Sequence, residues 1–335
     1  MPIFDLSGTE LTGYRSDVTP PPGLQAFWDE TITQARAEGW EPTVERVDTG
    51  LRLVDTYDVT FSGFGGDPIR AWYHRPAGTD AELPIVVRYQ GYGGGRGHPH
   101  QVGIWPLAGY ACLEMDTRGQ GSGHTPGDTA DPAGSLPAHP GYLTRGILDP
   151  ETYYYRRVFT DGVRAVDCAR TLPGVDADRV SVAGGSQGGG ISLAVAGLVP
   201  DLTAVLPDVP FLSDFRRASQ LATEDPYLEL AGYLAVHRGH LEQVFATLAH
   251  FDVSVLARTA TAPALFSVGL MDPVCPPSTV YAAYNAYGGR KEIRVYPYNE
   301  HEGGQSFHEL AQLSWLADVM PVHIAGPTAG SDRRS

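Results

Sequence analysis

A serine on a glycine-rich turn is the first residue of this sequence whose setting suggests chemistry. Ser186 lies in the segment GGSQG at 184–188, which fits the pattern G-x-S-x-G. A strand-like segment, RVSVA, precedes it, and a helix-like segment, GGISLAVAGL, follows it. A strand–turn–helix of this kind lifts the hydroxyl above a sheet, beside helix N–H groups that can bind an oxyanion. The pattern predicts a nucleophilic serine, and an incidental serine in a flexible turn is the alternative.

A serine nucleophile needs an acid and a histidine, in that order along the chain. Asp272 follows the strand-like segment ALFSVG, and His301 follows the strand-like segment EIRVYPY. Loops that follow the strands of a parallel sheet meet at one edge of the sheet. We therefore predict Asp272 and His301 as the catalytic partners of Ser186. Asp272 could instead cap a helix that starts near Pro277, and Asp252 is the second candidate for the acid.

A second glycine-rich segment, QGYGGGRGHP at 90–99, could supply an oxyanion donor. Its glycines let the backbone approach a substrate closely. We predict the backbone amides of Gln187 and of Tyr92, or a neighbour of Tyr92, as the two donors. A small acyl pocket is expected near Tyr92, Pro99 and Trp105. The segment lacks the GK[ST] ending of a phosphate-binding loop, which argues against that alternative.

Two other groups of residues have spacings that suggest a role. Arg118 lies among three glycines in DTRGQGSG, and Glu302 follows the candidate base. We predict a buried ion pair between Arg118 and Glu302, with a surface arginine as the alternative. His98 and His100 form an H-x-H pair, but they lie in loops rich in Gly and Pro rather than on facing rigid elements. No metal site is therefore expected.

Short apolar segments recur along the chain and are typical of strands buried on both faces of a parallel sheet. They are Pro84–Tyr89, Ala111–Met115, Arg179–Ala183, Ala204–Leu206, Ala264–Val268 and Glu292–Tyr296. Helical segments between several of them imply a doubly wound, mostly parallel α/β sheet with helices on both faces. Together with the serine turn, this order predicts the α/β-hydrolase fold.

The sequence divides into one domain, an insertion and a tail. Two alternating segments, Asp55–Phe61 and Ile69–His74, flank a Gly-rich turn and predict a hairpin. We expect one domain over 1–325, with a helical insertion at about 214–251 covering the carboxyl edge of the sheet. The small, polar stretch at 326–335 is expected to be a disordered tail.

Composition limits the classes of protein and partner. The chain has 335 residues, 42% of them hydrophobic, and a net charge of −15, which disfavours nucleic acid as a partner. Three widely spaced cysteines give no disulfide framework and no metal pair. Neither a signal peptide nor an apolar stretch of membrane-spanning length is evident, so we expect a cytoplasmic protein without a membrane span or a cofactor.

Three spaced motifs resemble the signatures of a known family, carbohydrate esterase family 7. That family contains the acetyl xylan esterases and the cephalosporin-C deacetylases. The motifs are Arg118-Gly119-Gln120, GGSQG at 184–188, and His301-Glu302. The resemblance extends to 144–167, 267–287 and 291–304, and so covers the chain roughly from residue 20 to residue 320.

The resemblance implies a function for the same residues. It implies a triad of Ser186, Asp272 and His301, with oxyanion amides from Tyr92 and Gln187. It also implies deacetylation of small acetylated sugars and of cephalosporin C, and assembly as a homohexamer.

The sequence departs from the family pattern at two positions. Gln90 replaces the usual His of the oxyanion loop and could alter loop rigidity or acyl preference, and Gly162 replaces a more usual Ala. Neither change touches the expected triad. A broad carboxylesterase or peptidase of the same fold is the alternative activity, and a non-catalytic ligand-binding hydrolase fold is the non-enzymatic alternative.

Overall fold

A computed structural model describes residues 4–134 and 136–322, and its strands form one sheet. The tail predicted at 326–335 lies outside the described residues. Nine strands are present among the described residues. They are β1 (Thr43–Val47), β2 (Val54–Ser62), β3 (Pro68–Pro76), β4 (Leu83–Tyr89), β5 (Ala111–Met115), β6 (Val175–Gly185), β7 (Ala204–Asp208), β8 (Ala264–Gly269) and β9 (Lys291–Tyr296).

The order of the strands creates a crevice at the centre of the sheet. The order is β1-β2-β3-β5-β4-β6-β7-β8-β9, antiparallel from β1 to β5 and parallel from β5 to β9. Strand β4 pairs with β5 on one side and with β6 on the other. Ligands of open α/β sheets bind where the connections diverge in this way, at the carboxyl ends of the strands. The predicted mostly parallel sheet and the β2–β3 hairpin are confirmed.

Helices cover both faces of this sheet, as predicted. Those among the described residues are α1 (Gly8–Gly13), α2 (Leu24–Ala37), α3 (Ile104–Leu107), α4 (Tyr154–Ala169), α5 (Gln187–Leu198), α6 (Phe215–Leu221), α7 (Tyr227–Val236), α8 (Leu241–Leu248), α9 (Val253–Leu256), α10 (Pro277–Ala286) and α11 (Gln305–Val319). None of the helices in the described part of the chain is long and apolar enough to cross a membrane.

Alternation along the central strands builds two apolar layers. Ile85 and Val87 of β4 belong to the layer that contains α2, α4, α5 and α10, whereas Val86 faces the smaller layer with α3 and α11. Successive side chains of a strand point to opposite faces of the sheet. A strand that is apolar at successive positions is therefore buried on both faces. In the larger layer Gly162 lets α4 approach α5, since a Cβ there would lie 2.9 Å from a methyl group of Ile191 and of Val195.

The predicted insertion forms α6, α7 and α8, between β7 and β8. It reaches the loop after β4 through Glu229 of α7, whose carboxylate accepts a hydrogen bond from the Tyr92 hydroxyl at 2.8 Å. The insertion therefore lies against the carboxyl edge of the sheet, near the crevice.

Candidate active site

Ser186 occupies a strained turn between β6 and α5. Its backbone angles are φ 55° and ψ −117°, a left-handed conformation that is costly for a residue with a side chain. The turn is held because the Ser186 amide donates to the Asp208 carbonyl at 2.9 Å. Gly188 is required two residues later, since a Cβ there would collide with the carbonyl oxygen of Tyr89 at the end of β4. The sequence thus folds into the predicted strand–turn–helix, with the serine at the helix N-terminus.

His301 and Asp272 meet beside this turn. The Nδ1 atom of His301 lies 2.8 Å from Oδ2 of Asp272, whose side chain is fully buried. The other oxygen, Oδ1, accepts backbone N–H groups from Val274 and Cys275, both at 2.8 Å. A carboxylate anchored in this way holds the imidazole with its proton on Nδ1 and leaves Nε2 as the proton acceptor.

The alternatives for the acid have other positions. Asp272 binds amides of its own loop, ahead of α10, rather than capping that helix. Asp252 is the N-cap of α9, where its side chain accepts from the Ser254 amide at 2.9 Å. Burial raises the pKa of Asp252 to about 6. Its carboxylate therefore has a structural task at another point of the fold.

Cys275 is a neighbour of the site that the sequence reasoning missed. Its side chain is buried, and its sulfur lies within 4.8 Å of ligand atoms of Asp272 and His301. Burial raises the pKa of this thiol well above its usual value, so it remains protonated at neutral pH. Its position, three residues after the acid, was the available signal.

Among the described residues, one group of side chains has the spacing of a metal site. Ligand atoms of Asp272, Cys275 and His301 lie within 4.8 Å of one another. Both oxygens of Asp272 already accept hydrogen bonds, and a protonated thiol is a poor metal ligand. The arrangement suits proton transfer better than metal binding. His98 and His100 are exposed and stack on each other with ring centroids 5.7 Å apart.

The loop after β4 lies against the serine turn, where it could supply an oxyanion donor. The Gln187 side chain donates to the Gln90 carbonyl at 3.2 Å and accepts from Nε2 of Gln120 at 2.8 Å. Oε1 of Gln120 in turn accepts from the Gly93 amide at 2.7 Å. Gln187 begins α5, so its own amide has no acceptor within the helix. Paired glutamines thus fix the separation between the loop of Tyr92 and the amide of Gln187.

The RGQ motif has a different role from the one expected for its arginine. Arg118 is fully buried and binds Asp161 of α4 in a bidentate manner, at 2.6 and 2.8 Å, with Asp67 at 2.9 Å. The predicted Arg118–Glu302 pair is therefore wrong, and so is the alternative of a surface arginine. Gly119 takes a φ of 69°. This conformation orients the turn so that the Gln120 side chain reaches both the loop of Tyr92 and the side chain of Gln187.

Glu302 stabilises the loop that carries the histidine. Its carboxylate accepts from the Asn299 side chain at 2.7 Å and from the Glu300 amide at 3.0 Å. The side chain is exposed. Glu302 thus bonds within its own loop after β9, whereas Arg118 bonds Asp161 of α4 and Asp67 before β3.

A cavity of about 330 Å³ opens beside the serine, between α3 and α11. Ser186, His301 and Trp105 line it, whereas Tyr92 and Pro99 are not among the described residues that do so. Tyr92 instead packs edge-on against Phe211. The three residues expected to form one acyl pocket are therefore not brought together, because Trp105 belongs to α3 on the opposite face of the sheet from α7.

Comparison with known proteins identifies the family of this chain. The acetyl xylan esterase (AXE1) family profile matches residues 1–319. The chain belongs to the acetyl xylan esterase family. It is similar to the acetyl esterase Axe7A of Xylanibacter ruminicola, with 30% identity over 311 residues, which are 88% of this chain. The chain spans 66% of the length of that curated relative.

Solved structures of acetyl xylan esterases share the whole fold. That from Paenibacillus sp. R4 has a TM-score of 0.87 and 38% identity, covering 94% of this chain and all of its own. The structure from Thermoanaerobacterium sp. has a TM-score of 0.86 and 32% identity, and the match covers 95% of this chain and 100% of its own. An acylaminoacyl peptidase of Pyrococcus horikoshii, 15% identical with a TM-score of 0.60 over 84% of this chain and 44% of its own, shares the fold alone. The predicted α/β-hydrolase fold is confirmed.

Proposed function

We propose that this member of the acetyl xylan esterase family removes acetyl groups from small acetylated carbohydrates through an acyl-enzyme on Ser186. The observation that carries the proposal is the 2.8 Å contact between His301 and a buried Asp272, beside a strained serine in the same cavity as the histidine. The strained turn costs free energy, so packing alone does not explain this arrangement. Membership of the family supports the acetyl group as the acyl part.

The mechanism uses the side chains in order. Nε2 of His301 accepts the Ser186 proton as the oxygen attacks the acetyl carbonyl, and Asp272 stabilises the imidazolium. The amides of Gln187 and Tyr92 receive the oxyanion. The alcohol leaves with the proton from His301, and water then attacks the acetyl-enzyme by the reverse route.

Acetate release distinguishes this activity from its alternatives. The substrates are acetylated xylo-oligosaccharides, cephalosporin C, longer-chain p-nitrophenyl esters and an aminoacyl amide. We expect the acetylated sugars and cephalosporin C to be cleaved and the amide to be left intact, and Ser186→Ala to abolish release. Faster cleavage of the longer esters would favour a broad carboxylesterase. Binding of a fluorophosphonate probe to Ser186 separates an enzyme from a non-catalytic ligand-binding protein.

Two other expectations for this protein stay predictions. The homohexamer rests on the family resemblance, and sedimentation of the purified protein tests it. The cytoplasmic location is tested by fractionation of the cells that make the protein.

A further inference from the structure

The cavity beside Ser186 has a wall that no catalytic step uses. Between α3 and α11 it is lined by Arg88 at the end of β4, Asp208 at the end of β7, and Glu309 of α11. Its volume, about 330 Å³, is at the lower end of the range for small-molecule sites, roughly 300–1,000 Å³. The leaving alcohol of an ester bound at Ser186 needs space on the histidine side, where this cavity lies.

The charges on the wall are unbalanced. Three carboxylates, those of Asp208, Glu302 and Glu309, line the cavity with one guanidinium, that of Arg88. Arg88 is already bound to the buried Glu114 at 3.3 Å, and the charge of Glu309 also acts on it from the opposite wall. The cavity therefore presents net negative charge to whatever enters it.

The polar groups around Asp208 are held in place by their neighbours. Gln312 donates to both carboxylate oxygens of Asp208 at 2.9 Å, and Nε2 of His308 lies 2.8 Å from the same carboxylate. The ring of His308 is fixed in turn by the Tyr296 hydroxyl at 3.0 Å from Nδ1. A fixed set of acceptors with one guanidinium suits hydroxyl groups, which both donate and accept hydrogen bonds.

We propose that this cavity binds the sugar of the leaving group and selects uncharged sugars over acidic ones. The proposal rests on the proposed function and deepens it. An acidic sugar brings a carboxylate next to Glu309 and Glu302, and like charges in a partly enclosed cleft repel. Cephalosporin C, which carries a carboxylate near its acetoxymethyl group, is then a poorer substrate than an acetylated xylose.

A matched pair of substrates tests the selection. A monoacetate of methyl xyloside and the same monoacetate of methyl glucuronide differ only in one ring carboxylate. At low ionic strength we expect kcat/KM to favour the xyloside about tenfold, and added salt to reduce that preference. Glu309→Gln reduces it about threefold, and Glu309→Lys reduces it further. The control is Glu242→Gln, which removes an exposed charge from α8, where Glu242 lies 3.4 Å from Arg216.

A steric pair of variants tests the position of the sugar. Ile104 of α3 lines the cavity, whereas Leu107 of the same helix is 69% exposed and is not among its lining residues. Ile104→Trp should lower kcat/KM for the xyloside at least about tenfold and leave methyl acetate within about threefold, because the methanol that methyl acetate releases is too small to need the cavity. Leu107→Trp should leave both substrates unchanged.

The outcomes separate the two proposals. Equal rates on the two sugars in the wild type, or a preference that Glu309→Lys leaves unchanged, overturns the selection of uncharged sugars. An equal loss of both substrates in Ile104→Trp, in a folded variant, overturns the position of the sugar. Failure of the wild type to release acetate from the neutral sugar overturns the proposed function itself.

Discussion

The Tyr92 hydroxyl donates to the carboxylate of Glu229 at 2.8 Å, and this contact joins the oxyanion loop to the helical insertion. The same hydroxyl accepts the backbone amides of Tyr142 and Leu143, at 2.7 and 3.1 Å. Burial raises the pKa of Glu229, so its charge depends on keeping these partners. The insertion thus fixes the side chain of the residue whose amide we assign to the oxyanion.

Glu229→Ala should lower kcat for p-nitrophenyl acetate by about tenfold to a hundredfold, because the loop of Tyr92 loses its anchor and a misplaced donor stabilises the transition state poorly. Glu229→Gln keeps an acceptor for the hydroxyl and should recover much of the loss. The thermal transition should change little in either variant.

A double-mutant cycle with Tyr92→Phe checks that the two side chains act together. If they do, the losses in the double variant fall well short of the product of the single losses. Glu242→Ala, an exposed change on the same insertion, is the control. Independent effects, or a Glu229→Ala enzyme within twofold of the wild type, would contradict the role of this contact.

Arg118→Met should destabilise the protein by about 3–5 kcal/mol, because it leaves the buried carboxylate of Asp161 without its partner. Arg36→Met removes a more exposed ion pair with Asp167, with an arginine side chain that is 49% exposed, and should cost less than about 1 kcal/mol. Urea unfolding of the two variants makes the comparison. Similar losses in both would show that Arg118 contributes no more than a surface arginine.

The local patterns of the sequence were enough to predict the three residues that we propose as the catalytic triad, and the structure brings two of them, Asp272 and His301, into contact. Ser186, Asp272 and His301 each follow a strand of the sheet, so chain order alone aligns them at one edge. Glu229 had no such signal, because it is 137 residues from Tyr92 and lies on a helix where an acidic residue usually faces water. Its role depends on how the insertion folds back onto the loop of Tyr92. The periodicity of the sequence carries no information about that.

The strands show the same division between local and long-range information. β5 has the predicted bounds, because its apolar segment is bounded by polar or glycine-rich sequence on both sides. β1 was not predicted, since TVERV at the sheet edge carries two charges and is only partly buried. Arg118 was paired with the wrong acid because Asp161 lies on the buried face of α4 among apolar residues, where a charge is seldom expected.

His74 should make the stability of the fold depend on pH. It is buried in β3 beside Thr56, and burial lowers its pKa from 6.5 to about 4. Between these values the unfolded chain binds a proton that the folded protein does not, so the free energy of unfolding falls as the pH drops from 6.5 to 4. This residue accounts for about 3 kcal/mol of the free energy of unfolding. That contribution is fully present above pH 6.5 and is lost as the pH falls to about 4.

The difference between wild type and His74→Asn in urea unfolding isolates this contribution. We expect the stability of the variant to vary less with pH over that interval. His100→Asn, at an exposed histidine, should follow the wild type. A variant at residue 74 with the same pH dependence as the wild type would show that the buried imidazole does not account for the acid sensitivity.

The position of the acyl group during turnover shows whether Ser186 is the nucleophile. Rapid acid quenching of the enzyme with an acetyl ester, followed by peptide mapping by mass spectrometry, locates any acetyl adduct. We predict one acetyl group on Ser186, formed in the wild type and absent from Ser186→Ala. An adduct on Cys275, the thiol beside that serine, or turnover that persists in Ser186→Ala, would contradict it.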